Sequence, residues 1–325
     1  LYRFKITSKE DIIESYFALR EIKIGEIKGK KRILLNGKPY FFHGLLDQGY
    51  FSDGIYTPAS YEAYKNDILK MKSCGFNMLR KHIKTEPQLF YYYCDKYGMV
   101  VFQDFINSGK YSFFVDTALP TIGLKKGISH KASPRRRAAF EGAARDTVEL
   151  LYNHPSVCYY TIFNEGWGQF DGDRLYREFK ALDPTRFWDT ASGWFIPKET
   201  DVDSKHVYFR NKKLKPGKRP MLLSECGGYA RKIEGHLWNP RNEYGYGKTD
   251  TEEQLTAAIG KMYVEMVNPA IAAGLCGVVY TQLSDVEDEI NGLYTYDRQV
   301  CKVDKAKMRE ILRGAEDILR KEMEQ

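Results

Sequence analysis

Two glutamates follow apolar runs that have the composition of buried strands. Residues 158–163 lead into Asn164 and Glu165, and residues 221–223 precede Glu225 by one position. A glycine comes one or two residues after each carboxylate. Because desolvation disfavours an ionised side chain at the tip of a buried strand, such positions cost stability. Two of them in one chain predict a pair of carboxylates that is used for chemistry.

Two carboxylates about 5 to 5.5 Å apart are what a retaining glycosidase requires, one as acid/base and the other as nucleophile. An isolated glutamate more often caps a helix or pairs with a lysine, and that alternative applies to Glu165 and Glu225 taken singly. Their matched positions at strand ends favour the chemical pair. The amide of Asn164 is placed to donate to a sugar hydroxyl beside the reacting carbon, a bond that can strengthen in the transition state.

Strand-like and helix-like segments alternate along the chain from residue 33. The predicted strands are 40–47, 76–80, 99–104, 158–163, 187–191, 206–209, 221–223 and 277–283, with helices between most of them. Eight strand–helix units over residues 40–322 match the size of a (β/α)8 TIM barrel, so the predicted fold class is α/β. A doubly wound open sheet is the alternative, but no Gly-x-Gly-x-x-Gly motif follows an early strand.

The first residues of the chain have a different pattern from the rest. Residues 1–28 alternate apolar and polar side chains as strands do. Two antiparallel strands alone are marginal in water. We therefore expect this segment to be the end of a preceding β domain, and residues 29–325 to form the barrel. The chain opens on Leu1 rather than Met, which predicts that it is part of a longer protein.

Four polar side chains fall at predicted strand ends on one face of the barrel. Arg80 and His82 come at the end of the second strand, and His206 and Tyr208 lie in the sixth. In TIM barrels the residues at the carboxyl ends of the strands face the active site. A single histidine is more often a structural residue, but four polar residues at one face predict contacts with substrate.

Composition narrows the classes of partner. The net charge of +7 comes from scattered clusters at 28–32, 135–137 and 212–219 that lack interleaved aromatic residues, so no nucleic-acid partner is expected. No apolar run reaches about 18 residues, so no membrane span is expected. Aromatic residues make up 14% of the chain, including 24 tyrosines. Flat rings can stack on the apolar face of a sugar, although a tyrosine-rich core would give the same count.

The six cysteines show no Cys-x-x-Cys spacing and no partnering histidines. This pattern argues against a zinc site and against a disulfide framework. We expect neither a metal nor a cofactor. Free thiols in apolar runs favour a reducing compartment, and the cytoplasm of a bacterium is the predicted location.

The sequence resembles glycoside hydrolase family 2, the family of β-galactosidases, β-glucuronidases and β-mannosidases. The similar segments are 76–82, 161–165, 223–228, 279–287 and 291–298. The second and third of these resemble the acid/base and nucleophile motifs, so the resemblance implies that Glu165 is the acid/base and Glu225 the nucleophile. It also implies that residues 1–28 end an immunoglobulin-like domain, which an amino-terminal sugar-binding domain would precede. A β-linked carbohydrate is the implied partner, and a homo-oligomer is possible.

Departures from the family pattern bear on the substrate. The glucuronidases carry an Asn-x-Lys pair for the sugar carboxylate, whereas Glu289 and Asn291 stand at the matching positions. An acidic residue there should repel a uronic acid, which disfavours a glucuronidase. Tyr280 replaces a tryptophan common in galactosidases, so a galactosidase is only the default. The predicted sugar-binding set is completed by Asp47 after the first strand and by Trp167 and Trp194 on loops.

The predicted function is a retaining exo-β-glycosidase that acts on terminal β-linked sugars through a covalent glycosyl-enzyme. The alternative from another class is a catalytically silent carbohydrate-binding barrel. A third possibility, a barrel enzyme with Cys226 as nucleophile, lacks a neighbouring histidine in the sequence.

Overall fold

The computed structural model describes residues 1–106, 112, 114, 119–121 and 132–324. The strands are β1 (Tyr2–Thr7), β2 (Ile12–Phe17), β3 (Ile22–Ile27), β4 (Lys30–Leu35), β5 (Lys38–Pro39), β6 (Phe42–Asp47), β7 (Met78–Lys81), β8 (Val100–Asp104), β9 (Val157–Asn164), β10 (Phe187–Ser192), β11 (Asp203–Val207), β12 (Met221–Gly227), β13 (Tyr229–Ala230), β14 (Gly247–Lys248) and β15 (Leu275–Thr281). The helices are α1 (Glu62–Ser73), α2 (Gln88–Tyr97), α3 (Leu119–Thr121), α4 (Pro134–Leu151), α5 (Gly172–Leu182), α6 (Glu252–Met262), α7 (Asn268–Ala272) and α8 (Lys305–Glu324), with a π-helical turn (Tyr263–Val267) between α6 and α7.

Eight parallel strands form the central sheet in the order β10-β9-β8-β7-β6-β15-β12-β11. The two outermost strands of this order lie side by side, since Ser204 Oγ in β11 donates to the carbonyl oxygen of Ala191 in β10 at 3.4 Å. The sheet therefore curls into a nearly closed barrel with helices outside it. The predicted fold class, an α/β (β/α)8 TIM barrel, is confirmed.

Side chains of the barrel strands alternate between two apolar cores, as the period of two in a strand requires. Leu46 and Met78 pack inside the barrel, in a cluster with Phe102. Leu45 and Leu79, one residue away, pack in the larger cluster between the barrel and the helices. This alternation decides which strand-end residues point into the mouth of the barrel and which point toward the helices.

The segment before the barrel forms two small sheets. β1 and β2 are a hairpin whose side chains are largely exposed, and β3, β4 and β5 form a second antiparallel sheet. The guanidinium of Arg32 in β4 donates to the carbonyl oxygens of Leu275 and Ile271, which ties this sheet to the barrel. Because β3 pairs with β4, the predicted boundary between residues 28 and 29 falls in the turn of a hairpin.

The sixth barrel strand differs from its prediction. It covers Asp203–Val207 rather than 206–209, so Tyr208 lies just beyond the strand end. No described helix combines the length and the apolar character needed to cross a membrane.

Candidate active site

Glu165 and Glu225 meet at the carboxyl end of the barrel. Glu165 comes directly after β9, and Glu225 lies near the end of β12. A carboxylate oxygen of each, together with a ring nitrogen of His206, lies within 4.8 Å of the other two. The two carboxylates that the sequence singled out are therefore neighbours across the mouth of the barrel.

A β-bulge turns Glu225 into the barrel mouth. Lys205 pairs with Leu223 while the next residue, His206, pairs with Glu225, so Ser224 is the extra residue in β12. In a regular strand, Leu223 and Glu225 would share a face, and Leu223 packs in the outer core. Bulges re-aim side chains in this way and occur often beside active sites.

Glu165 has an unusual backbone conformation. Its φ is 52°, in the left-handed region, and Gly166 follows with a φ of 82°. The Glu165 N–H donates to the carbonyl oxygen of Ser192 at 3.0 Å, and Trp194 Nε1 donates to the carbonyl oxygen of Glu165 at 3.0 Å. Left-handed conformations of residues other than glycine cluster at functional sites, where the surroundings must hold them. Trp194 thus braces the turn that presents Glu165.

Arg80, in β7, joins the strand ends. Its Nε donates to Asp104 Oδ1 at 3.0 Å, its Nη1 to Glu225 Oε1 at 2.9 Å and its Nη2 to Asn164 Oδ1 at 2.9 Å. Burial alone would lower the pKa of Arg80, but the charges of Asp104 and Glu225 outweigh burial and raise it. Arg80 therefore stays cationic and orients Glu225 and Asn164.

His82 lies on the same side of the mouth. Its Nδ1 is 2.7 Å from Asp104 Oδ2. Burial opposes ionisation of Asp104, yet Arg80 and His82 together hold the pKa of this carboxyl below its usual range. An ionised carboxylate only accepts, so His82 Nδ1 carries a hydrogen and the imidazole is held with Nε2 on its far side.

Tyr208 completes the surroundings of the nucleophile candidate. Its hydroxyl donates to Glu225 Oε2 at 2.6 Å and is 2.9 Å from Thr281 Oγ1. Burial, followed by the charge of Glu225, raises the pKa of the phenol well above its ordinary value, so the phenol keeps its hydrogen. The ring of Tyr246 stacks on Tyr208 with 3.8 Å between centroids.

The side chain of His206 is buried between the two glutamates. Its Nδ1 lies 2.7 Å from Glu165 Oε1 and 3.5 Å from Glu225 Oε2. Gly193 allows the ring to approach, because a Cβ there would lie 2.7 Å from His206 Nδ1. Burial is the main reason why the pKa of this imidazole falls to about 3. His206 is therefore neutral at ordinary pH.

Two predicted sugar contacts lie apart from this group. Asp47 points toward the helices, where its carboxylate accepts from Lys81 Nζ at 2.6 Å and from the Gly49 N–H at 2.9 Å. Tyr280 is buried in the outer core, and its hydroxyl accepts from the Tyr229 N–H at 3.3 Å. Their places in β6 and β15 put them on the outward face, so the structure gives both a role in packing rather than in the mouth.

Trp167 lies on the loop after Glu165 and is partly exposed, and its backbone N–H donates to the carbonyl oxygen of Asn164 at 3.0 Å. The structure thus places Trp167 beside the acid/base candidate. Its predicted contact with a sugar stays a prediction.

Sequence reasoning missed two parts of the site, one residue and one set of contacts, although it had singled out Glu289 and Asn291. Asp104 ends the apolar strand β8 just as the two glutamates end theirs, so the same signal could have found it. The second part is an amide cluster, in which Gln48 and Gln282 donate to Glu289 Oε2 at 3.1 and 2.7 Å. Gln282 also donates to Asn291 Oδ1 at 2.8 Å.

The amide cluster places a further carboxylate, that of Glu289, near the mouth. Burial raises the pKa of Glu289, and both His82 and Glu225 contribute to its electrostatic environment. Gln48 follows β6, whereas Gln282, Glu289 and Asn291 follow β15, so their proximity depends on the pairing of these two strands.

A metal ion does not suit the glutamate pair. Within the described ranges, Glu165, His206 and Glu225 are the one group of three whose ligand atoms come close enough for a shared ion. The oxygens of Glu225 already accept from Arg80 and Tyr208, and the guanidinium would repel a cation. The absence of a metal and of a cofactor stays a prediction.

Comparisons with known proteins also relate this chain to glycosidases. Residues 26–241 match the family model described as Glycosyl hydrolases family 2, TIM barrel domain. The chain is 31% identical over 176 residues to a mannosylglycoprotein endo-beta-mannosidase of Lilium longiflorum, covering 51% of this chain and 17% of that protein.

Solved structures of similar fold include a beta-D-glucuronidase of Dictyoglomus thermophilum, with a TM-score of 0.70, 18% identity and coverage of 95% of this chain and 56% of that one. Another is a GH2 beta-galacturonidase of Eisenbergiella tayi bound to galacturonate, with a TM-score of 0.66, 18% identity and coverage of 93% and 55%. The chain thus spans about half the length of these structures. At such identity they show the fold alone, whereas the family model covers most of the chain: the chain belongs to glycosyl hydrolase family 2 and carries its TIM barrel domain.

Proposed function

We propose that this chain is the catalytic domain of a retaining exo-β-glycosidase that hydrolyses terminal β-linked sugars. The observation that carries the proposal is the approach of a Glu165 oxygen to within 4.8 Å of a Glu225 oxygen. Retaining glycosidases place their carboxyl groups about 5 to 5.5 Å apart, while inverting ones need about 6.5 to 9.5 Å to admit a water. The spacing supports retention.

In the proposed mechanism, Glu225 attacks the anomeric carbon while Glu165 gives its proton to the leaving oxygen. Water then attacks the glycosyl-enzyme, and Glu165 accepts the proton of that water. Arg80 and Tyr208 each donate to one oxygen of Glu225, which orients the nucleophile. Asn164, held by Arg80, has its amide nitrogen available for the sugar hydroxyl beside the reacting carbon.

We propose a neutral sugar as the substrate. Glu289 brings a carboxylate close enough to interact with Glu225, so a substrate carboxylate would meet like charge. A β-galactoside is the default choice. A β-mannoside is the second candidate, because the similar curated protein is described as an endo-beta-mannosidase.

A panel of aryl β-glycosides tests the proposal, with galactoside, glucoside, mannoside, fucoside and glucuronide. The expected result is turnover of one neutral glycoside with the first-formed sugar in the β configuration, as read by proton NMR. An α product would overturn retention, and preferential turnover of the glucuronide would overturn the assignment of a neutral sugar.

Sugar binding by calorimetry without turnover of any glycoside would favour a silent carbohydrate-binding barrel instead. The test uses the longest available form of the protein, because we also propose that residues 1–28 end an immunoglobulin-like domain and that further sugar-binding residues precede it. A cytoplasmic location and a homo-oligomer remain predictions.

A further inference from the structure

A row of hydrogen bonds runs beneath the glutamate pair and ends at Glu165. Ser224 Oγ lies 3.3 Å from the carbonyl oxygen of Lys205, and Ser192 Oγ lies 2.9 Å from Ser224 Oγ. His206 Nε2 lies 2.9 Å from Ser192 Oγ, and His206 Nδ1 lies 2.7 Å from Glu165 Oε1. We call these linked groups the serine relay.

The bond between Ser224 Oγ and the carbonyl oxygen of Lys205 decides which group donates in every other bond of the serine relay. A carbonyl oxygen only accepts, so the hydrogen between Ser224 and Lys205 belongs to Ser224. Ser224 Oγ then has only a lone pair for its other neighbour, and Ser192 must donate to it. Ser192 in turn has only a lone pair left, so His206 Nε2 must carry the hydrogen that joins them.

The Arg80 guanidinium does not change this assignment. Its Nη1 is 3.5 Å from His206 Nε2. That nitrogen has two hydrogens, which go to the carbonyl oxygen of Ser224 at 3.0 Å and to Glu225 Oε1 at 2.9 Å. No hydrogen remains for His206, so Ser192 is the partner of Nε2.

His206 has a single hydrogen because it is neutral. Among the described residues, the charged and titratable groups around it and Glu165 include Arg80, His82, Asp104, Tyr208, Glu225 and Tyr246. Burial is the largest influence, and it lowers the pKa of the imidazole to about 3 despite the opposing charge of Glu225. With the hydrogen on Nε2, Nδ1 presents a lone pair to Glu165.

We propose that the serine relay fixes the His206 hydrogen on Nε2 and thereby keeps a proton on Glu165. The contact of 2.7 Å between two acceptors becomes a hydrogen bond only when Glu165 Oε1 carries a hydrogen. Ser192 and Ser224 are positioning residues, since they act through His206 and touch neither the reacting atoms nor the sugar. The catalytic meaning rests on the proposed function, because the first step needs a proton on Glu165, and that proton must leave the bond with His206 Nδ1 to reach the leaving oxygen.

Without the serine relay, His206 should favour the ionised form of Glu165 instead of the protonated form. Without Ser192, an unpaired lone pair on Nε2 costs less than an unpaired N–H, and the hydrogen moves to Nδ1. His206 then donates to Glu165 and stabilises its ionised form. Without Ser224, the Ser192 hydroxyl is free to donate to Nε2, which has the same consequence.

A direct test reads the tautomer in the wild-type protein. In ¹⁵N-histidine-labelled full chain at neutral pH, His206 is assigned by comparison with a His206→Gln variant. We expect a protonated Nε2 and an unprotonated Nδ1. A hydrogen on Nδ1, or on both nitrogens, would overturn the proposal, whether or not the protein hydrolyses any glycoside.

A second test follows the pH dependence of kcat/KM, whose basic limb reports the proton of the acid in the free enzyme. In Ser192→Ala and Ser224→Ala, we expect this limb to move to lower pH by about 0.5 to 1 unit, the effect of one hydrogen bond. Ser192→Thr keeps the hydroxyl and should restore the wild-type profile.

Ser204→Ala is the matched control, because Ser204 is a buried serine of the same sheet whose hydroxyl contacts the carbonyl oxygen of Ala191 and the carboxyl of Asp189 and does not join the relay. A drop in kcat with an unmoved limb in Ser192→Ala would indicate a merely structural role and contradict the proposal. An equal shift in Ser204→Ala would contradict it as well.

Discussion

Two consecutive residues of β7, Arg80 and Lys81, build two buried charge networks on opposite faces of one sheet. Each side chain is 1% exposed. Arg80 points into the barrel mouth and bonds Asp104 and Glu225. Lys81 points toward the helices, where its Nζ bonds Asp47 and Glu86 at 2.6 and 2.9 Å.

The two networks differ in charge balance. The outer one matches the carboxylates of Asp47 and Glu86 with two lysines, because Lys84 Nζ also bonds Glu86 at 2.9 Å. In the inner one, within the described residues, the guanidinium of Arg80 bonds the carboxylates of both Asp104 and Glu225, and His82 also bonds Asp104. Buried charges are tolerated when they are paired.

The difference in charge pairing indicates a structural role for the outer network and a catalytic role for the inner one. A balanced network stabilises the fold and leaves nothing for a ligand. An inner network in which one guanidinium serves two carboxylates suits a transition state of oxocarbenium character, which carries positive charge. Changes in the inner network should therefore reduce activity, and changes in the outer network should reduce stability.

The largest effect is expected from the inner network. Glu225→Gln should lower turnover of an aryl β-glycoside by more than about 10⁴-fold, because an amide is not a nucleophile for the anomeric carbon. The measurement is the initial rate at saturating substrate. Unimpaired turnover in this variant would remove Glu225 from the mechanism.

The next effect is a loss of stability from the outer network. Lys81→Met should lower the free energy of unfolding by about 3–5 kcal/mol, because it leaves Asp47 without its cation in a buried site. Urea unfolding measures this value.

The matched control is Lys65→Met, which breaks an exposed ion pair with Glu62 on α1 and should leave the free energy of unfolding almost unchanged. Equal costs for the two lysines would contradict the structural role of the outer network.

Asp189 is the converse case, a buried carboxyl without a paired cation among the described residues, and it tests whether such a carboxyl lowers stability when it ionises. Asp189, in β10, has no hydrogen-bond partner of good geometry in the described part of the chain. Burial raises its pKa to about 6, which the hydroxyls of Ser204 and Tyr159 offset only in part. A raised pKa in the folded state means that the folded protein binds the proton more tightly, so stability falls as pH rises from about 4 to 6.

Asp189→Asn should remove the loss of stability that accompanies ionisation of Asp189. The variant is expected to gain at most about 3 kcal/mol over the wild type above pH 6, and the gain should vanish near pH 4. Urea unfolding at several pH values checks it. A gain that is the same at every pH would indicate packing rather than ionisation.

The smallest effect comes from one hydrogen bond of the inner network. Tyr208→Phe removes the donor to Glu225 Oε2 and keeps the ring stacked on Tyr246. We expect kcat to fall about tenfold, since a hydrogen bond to a charged group contributes about 1.5–3 kcal/mol, of which part is lost in both ground and transition states. The free energy of unfolding should change by less than about 1 kcal/mol, and a larger loss of stability than of activity would place Tyr208 with the outer network.

Much of the site was predictable from local sequence. Apolar runs that end in a polar residue identified the strands and placed Arg80, Asn164 and Glu165 at their ends. Asp47 and Tyr280 were expected to contact the sugar from their strand-end positions, but the structure places their side chains on the outer face of the barrel. Leu46 and Val279, their neighbours in sequence, pack inside the barrel, so the period of two turns Asp47 and Tyr280 outward.

Other features could not be read from the sequence. Alternation alone would turn Glu225 outward with Leu223, and only the bulge at Ser224, which depends on the pairing of β12 with β11, turns it inward. The amide cluster around Glu289 likewise joins residues distant in sequence.

By itself, the sequence determined that this chain alternates strands and helices around a barrel and carries two glutamates where strands end, because hydrophobic periodicity is a local property. The tertiary structure alone decided that the glutamates face each other, that Arg80 lies between carboxylates, and that a buried neutral His206 faces Glu165 with a particular nitrogen. These features depend on register and on hydrogen bonds between distant strands, which side-chain order along the chain does not specify.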